Sequence, residues 1–239
     1  VQAIMFMKAY QREWPALIVT PSSVKLNWAD ELEKWIPDLE PGCINIVKDR
    51  TFPGNLKAAV TIVTYGMFTK NSKVCELITA EKFKVVVLDE SHYIKSYDSA
   101  RTKLLVPIIS ASKRAALLSG TPALARPVEL WPQLNALRPD LFPKFFKFVN
   151  QYCGPRRMPW GTDYTGATNL EQLHGLLRRF MVRRLKKQVL KQLPAKRRQL
   201  VRLDIPDREL KEVTKLMERL KGVDLTSVMN SYNAGTGDF

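Results

Sequence analysis

Val85-Val86-Val87-Leu88-Asp89-Glu90-Ser91-His92 is the stretch on which the fold turns. Four consecutive apolar residues, three of them β-branched, read as a strand buried on both faces. The run stops abruptly at two adjacent carboxylates. Side chains leaving a strand end diverge, so neighbouring acids there can address two different atoms. In a nucleoside triphosphatase the first acid holds the magnesium ion, usually through water, and the second orients or deprotonates the attacking water. An acidic turn at a strand end is common. The four apolar residues before this pair, and the Ser-His after it, make it much more specific.

Outward from that stretch, the first 140 residues alternate short apolar runs with helical patterns. Strand-like runs occupy Ala16–Thr20, Val60–Thr64, 84–89 and 115–119, and each ends at its carboxyl side in small or polar residues. Between and beyond them, Val24, Trp28, Leu32 and Trp35 fall at near-helical spacing. So do Ala100, Leu104 and Ile108, and then Val128, Trp131, Leu134 and Leu137. This alternation predicts an α/β fold, a parallel sheet with crossover helices. Ligands gather at the carboxyl ends of strands in such sheets, which is where Asp89 and Ser119 stand. Trp28 and Trp35 lie on the apolar stripe of their helix and are expected in the core. After Pro139 the texture changes. Phe142, Phe145, Phe146 and Phe148 form an aromatic cluster, residues 154–166 read as a long loop, and Leu170, Leu173, Leu176, Leu177 and Phe180 form a helical core stripe. The last ten residues read as a polar tail.

Composition narrows the class. The 239 residues are 45% apolar and 26% charged, with 11 Gly and 15 Pro, which excludes collagen, coiled coil and bulk disorder. No apolar run approaches the roughly 20 residues of a membrane span, and no secretory leader opens the sequence. Cys43, Cys75 and Cys153 are odd in number and far apart, against a disulfide framework or a structural zinc site, so a soluble intracellular protein is expected. The formal charge of +15 is uneven: residues 1–120 carry 16 basic against 12 acidic side chains, residues 121–239 carry 22 against 11. Residues 178–202 hold eleven Lys or Arg and no acid. Such a field attracts polyanions and favours nucleic acid over a merely solvated face.

Asp89-Glu90-Ser91-His92 resembles the DESH form of motif II of superfamily 2 helicases, and its neighbours agree. Leu17-Ile18-Val19-Thr20-Pro21-Ser22-Ser23, with Trp28 and Trp35 behind it, is similar to motif Ia of the Snf2 group. Thr61-Ile62-Val63-Thr64-Tyr65 resembles the next DNA-contacting motif. Leu117-Leu118-Ser119-Gly120-Thr121-Pro122, followed by Glu129-Leu130, resembles motif III. Arg157-Met158-Pro159-Trp160-Gly161, Asp163-Tyr164 and Met181-Val182-Arg183-Arg184-Leu185-Lys186, leading to Leu193-Pro194-Ala195-Lys196, are similar to the HepA-related, annealing-helicase branch of the Snf2 family. The resemblance covers roughly residues 1–205, with a local departure at Lys187-Gln188.

The resemblance implies a RecA-like P-loop NTPase lobe over 1–139, a helical and basic extension over 140–205, and a helix and tail over 206–239. It implies ATP and Mg²⁺ as cofactors, duplex, fork or junction DNA and a second RecA-like lobe as partners, and no membrane. The activity implied is a DNA-dependent ATPase that reanneals DNA and remodels stalled forks. A nucleosome remodeller and an ATPase-inactive DNA-binding module are the alternatives. Location would be the nucleus in a eukaryote, otherwise a bacterial or viral-host cytoplasm. In the family a Gly-Lys-Thr phosphate loop should sit immediately before a segment like Val1-Gln2-Ala3-Ile4. No such loop occurs in these residues, so these residues alone are expected to turn over no useful ATP. By the same resemblance Asp89 would hold Mg²⁺ and Glu90 would activate water, while His92, Ser119, Gly120 and Thr121 would couple hydrolysis to movement. Ser22, Ser23, Lys25, Thr64 and Tyr65 would touch the DNA backbone, and Arg156, Arg157 and Trp160 would stack or wedge at a junction. Arg183 and Arg184 would meet phosphate or the second lobe.

Overall fold

The computed structural model describes residues 1–51, 53–70, 72–120 and 126–184. Val1–Val182 form one compact unit, and Arg183–Phe239 belong to a second. Thr121 and everything from Leu185 onward, including Lys186 and the expected 206–239 helix and tail, lie outside the described residues. The expected boundary at 139/140 falls inside the first unit.

Five strands form a parallel sheet in the order β2-β3-β1-β4-β5: β1 (Ala16–Thr20), β2 (Ile44–Ile46), β3 (Val60–Thr64), β4 (Val85–Leu88) and β5 (Arg114–Leu117). Strands β1 and β4 are buried along their whole length, as a parallel sheet covered on both faces requires. Successive side chains alternate between two cores. Ile18, Ile62, Val85 and Val87 pack with Ile4 and Met7 of α1 (Gln2–Ala9) and Trp28 and Leu32 of α2 (Lys25–Trp35). Leu17, Val19, Val63, Val86 and Leu88 pack on the other face. Their partners come from α3 (Lys73–Ala80), α4 (Ala100–Ala111) and α5 (Trp131–Leu137).

The chain leaves β1 toward β2 on one side and leaves β4 toward β5 on the other. The crevice between the carboxyl ends of β1 and β4 is therefore the topological switch point, the place where such sheets hold ligands. Asp89 sits at its rim.

A third core joins Leu130 and Leu134 to α6 (Phe145–Tyr152) and α7 (Leu170–Leu177), with Phe142, Phe148, Leu173 and Leu177 buried in it. The expected long loop over 154–166 is corrected: it contains an antiparallel hairpin of β6 (Arg156–Met158) and β7 (Gly161–Asp163), turning at Pro159-Trp160. Its root is fixed. Thr168 N–H donates to Tyr152 O at 2.9 Å, and Tyr164 packs edge-on against Phe145 at 5.6 Å.

Candidate active site

Strand β4 ends because Glu90 adopts a left-handed conformation, φ 53° and ψ 53°. A non-glycine residue there costs on the order of 1 kcal/mol and persists only where its surroundings hold it. They do: Asp89 N–H donates to Val19 O, Leu118 N–H to Leu88 O and Ser91 N–H to Leu118 O, all at 2.8 Å. The turn sends the two carboxylates apart. Asp89 faces β1 and α2, where its Oδ2 accepts from Trp28 Nε1 at 2.9 Å and Thr20 Oγ1 at 3.4 Å. Glu90 faces the other way, its Oε2 3.1 Å from His92 Nδ1.

His92 Nδ1 also lies 3.4 Å from Ser119 Oγ, beyond the end of β5. The acidic turn and the segment after β5 thus meet through one imidazole. Behind them the buried Ser91 hydroxyl donates to Gln133 Oε1 at 2.8 Å, pinning the turn to α5. Gly120 is exposed, and a Cβ there would touch nothing.

The donor set suits a magnesium–nucleotide pair. Mg²⁺ is ordinarily held by one or two carboxylates, with phosphates and waters completing the octahedron. Among the described residues, no donor reaches Asp89 Oδ1, and the Glu90 side chain is 44% exposed. No group of three His, Cys, Asp or Glu side chains is placed to form an all-protein metal cage among those residues. Among the described residues, one carboxylate oxygen is thus left for a hydrated ion and a second carboxylate for water.

The neighbouring edge gathers the nucleic-acid candidates. Thr20 and Thr64 are register partners at the ends of β1 and β3. Ser22 and Ser23 are exposed in a 3₁₀ turn before α2, with no side-chain capping bond. Lys25 is half-buried and leans on Val47 O at 3.4 Å. Tyr65 requires correction. It is 2% exposed, and its hydroxyl donates inward to Asp89 O at 2.7 Å, so its side chain holds the acidic turn and does not face solvent. Burial first, then the Asp89 charge, pushes its phenol well above the ordinary value, so the hydroxyl stays a donor. Tyr93 stacks on it at 4.7 Å, and the Arg101 guanidinium lies over both rings.

Trp28 is in the core as expected, with the added bond to Asp89 that helical spacing could not show. Trp35 is corrected to a surface position, 38% exposed with its indole on Glu31. Arg156 and Arg157 are exposed on the hairpin, and Trp160 at its tip is 81% exposed. Arg183 and Arg184 are exposed.

Residues 1–232 match the SNF2-related domain. The chain belongs to that family. Among its SNF2-related relatives, it is 43% identical over 243 residues to DNA annealing helicase and endonuclease ZRANB3 of Mus musculus, covering 98% of this chain and 22% of that protein. It is 43% identical over 202 residues to SWI/SNF-related matrix-associated actin-dependent regulator of chromatin subfamily A-like protein 1 of Xenopus laevis, covering 84% and 20%. The chain thus spans about a fifth of the length of these curated relatives. The Sulfolobus solfataricus SWI2/SNF2 ATPase core domain superposes with a TM-score of 0.60 at 25% identity, over 80% of this chain and 38% of that one. The same core in complex with dsDNA gives 0.62 at 24% identity, with the same coverage. The fold is the RecA-like lobe of SNF2 ATPases. Among the described residues, no helix is long and apolar enough to cross a membrane.

Proposed function

We propose that this chain is the first motor lobe of a DNA-dependent ATPase that reanneals DNA and remodels stalled replication forks. The observation that carries the reading is the divergence of Asp89 and Glu90 at the β1/β4 crevice: one carboxylate is clamped with an oxygen to spare, the other turned toward His92. The annealing-helicase names of the relatives supply the DNA substrate class.

Bound Mg²⁺ would neutralise charge on the phosphates of ATP and fix their orientation. Asp89 would hold that ion. Glu90 accepts a hydrogen bond from water and takes its proton at Oε1 or Oε2. His92 passes the state of Glu90 to Ser119, and the second lobe meets this edge. Ser22, Ser23, Lys25 and Thr64 hold phosphates of one strand, contacts that read backbone shape and not sequence. The hairpin presents an indole for base stacking at a junction, flanked by Arg156 and Arg157 for phosphate. Arg183 and Arg184 add to the phosphate attraction. In a eukaryotic source the protein works in the nucleus.

The test is ATP-driven rewinding of a partly unwound duplex by the intact protein. Rewinding that disappears with Glu90→Gln is expected. Nucleosome sliding without rewinding would overturn this reading in favour of a chromatin remodeller.

A further inference from the structure

Three hydrogen bonds converge on Asp89 from the segments that carry the phosphate candidates. Trp28 Nε1 and Thr20 Oγ1 both donate to Oδ2, at 2.9 and 3.4 Å, and Tyr65 Oη donates to the main-chain oxygen at 2.7 Å. Thr20 lies two residues before Ser22, Trp28 three after Lys25, and Tyr65 one after Thr64. Each proposed phosphate contact is therefore within three residues of a group that grips Asp89.

We propose that Trp28 is a positioning residue for the Asp89 carboxylate, and that with Tyr65 it ties occupancy of the nucleic-acid edge to the geometry of the metal-facing oxygen. This rests on the reading of Asp89 as the metal partner given above.

A buried indole N–H usually finds an acceptor. That of Trp28 reaches across to a carboxylate 61 residues away. By engaging one oxygen it selects the rotamer that leaves Oδ1 clear, as outer partners of metal ligands do. The ring has no independent freedom. It packs with Ile18, Leu32 and Val87, and close-packed interiors pass displacements on instead of absorbing them. Lys25 and Trp28 share α2, separated by about 4.5 Å of helix rise. A shift at the start of α2 when phosphate arrives therefore moves the donor on Oδ2. Tyr65 does the same for β3, wedged between Asp89 and Tyr93.

The direct test measures Mn²⁺ binding by electron paramagnetic resonance in the ADP-loaded intact protein, with and without duplex DNA. Trp28→Phe keeps an aromatic ring in the core, though a smaller one, and removes the N–H. It should weaken Mn²⁺ binding about tenfold, leave DNA affinity without nucleotide within twofold, and abolish the tightening of Mn²⁺ that DNA produces in the wild type. Thr20→Val should give a smaller loss of the same kind. Wild-type Mn²⁺ affinity that ignores DNA, or a Trp28→Phe protein that binds and responds like wild type, overturns the proposal. Asp89→Asn separates the two levels. If it binds Mn²⁺–ADP normally, the metal assignment itself fails; if it loses binding while Trp28→Phe does not, only the present proposal fails. Should Trp28→Phe not fold, ¹⁵N-indole spectra of the wild type decide. The Trp28 N–H signal should be protected from exchange and shift with Mg²⁺–ADP. A Trp28 signal indifferent to Mg²⁺–ADP overturns the proposal.

Discussion

Tyr65→Phe isolates one hydroxyl, because the ring and its stack on Tyr93 survive the substitution. The hydroxyl sits at 2.7 Å from Asp89 O on a side chain only 2% exposed, and the raised phenol value keeps it a donor at any ordinary pH. Asp89 itself is half-buried, so water can reach the vacated acceptor only in part. The loss should fall near a typical net hydrogen bond, about 1 kcal/mol, and below the full penalty of an orphaned buried carbonyl. In a domain of this size that is about 2–4 °C of melting temperature. Tyr65→Leu also loses the stack with Tyr93, worth about 0.5–1.5 kcal/mol beyond its area, and should melt lower still. Urea titrations should show the midpoint moving at constant slope. Because the hydroxyl points inward, Tyr65→Phe should keep duplex DNA affinity within about twofold. Unchanged stability together with a large loss of DNA affinity would refute this and restore Tyr65 to the DNA-facing surface.

Further consequences follow from other contacts. At Gly166 an added Cβ would press on the main-chain oxygen of Cys153, so Gly166→Ala should destabilise the hairpin root by about 1–3 kcal/mol in a thermal melt; a variant as stable as wild type would show the contact is not tight. Glu13 takes hydrogen bonds from Arg114 and then Lys113, which hold its carboxyl down from 4.5 to about 2. Its folded value lies below its unfolded one, so its stabilisation is complete above about pH 4.5 and fades as pH falls toward 2. The melting gap between wild type and Glu13→Gln should close over that window, and a gap that persists at its acid end contradicts the linkage. Trp160→Ala should leave melting unchanged, since the side chain is 81% exposed. It should weaken binding to forked DNA about tenfold while sparing plain duplex; equal losses on both would argue against a junction contact.

The parts of the fold that could be read in advance are those whose pattern repeats within a few residues. Strands β1 and β3 have the expected bounds, because short runs rich in apolar and β-branched residues carry their own signature. Strand β2 is three residues long with Asn45 at its centre, the side chain turned to Pro53 O, and a run so short and polar has no readable period. Hairpin β6–β7 has no such signature for a related reason: its first strand is exposed throughout and its second nearly so, and no apolar alternation marks either. At the site, Asp89, Glu90 and His92 are neighbours in sequence and so were legible together. Trp28 and Tyr65 reach Asp89 only through the sheet, across 61 and 24 residues. Helical spacing told which way Trp28 faces but could not name its acceptor. The buried Ser91–Gln133 bond left no local trace, for the same reason.

The central claim is that Asp89 and Glu90 have different tasks, one holding the ion and the other preparing water. Single-turnover ATP hydrolysis and Mg²⁺-dependent ATP binding, measured side by side on Glu90→Gln and Asp89→Asn of the intact protein with saturating duplex DNA, test it most directly. Glu90→Gln should bind Mg²⁺–ATP and DNA like wild type while hydrolysis falls by about two to four orders of magnitude. Asp89→Asn should lose the Mg²⁺ dependence of binding itself. Hydrolysis by Glu90→Gln at the wild-type rate, or identical binding defects in both variants, would contradict the division of labour.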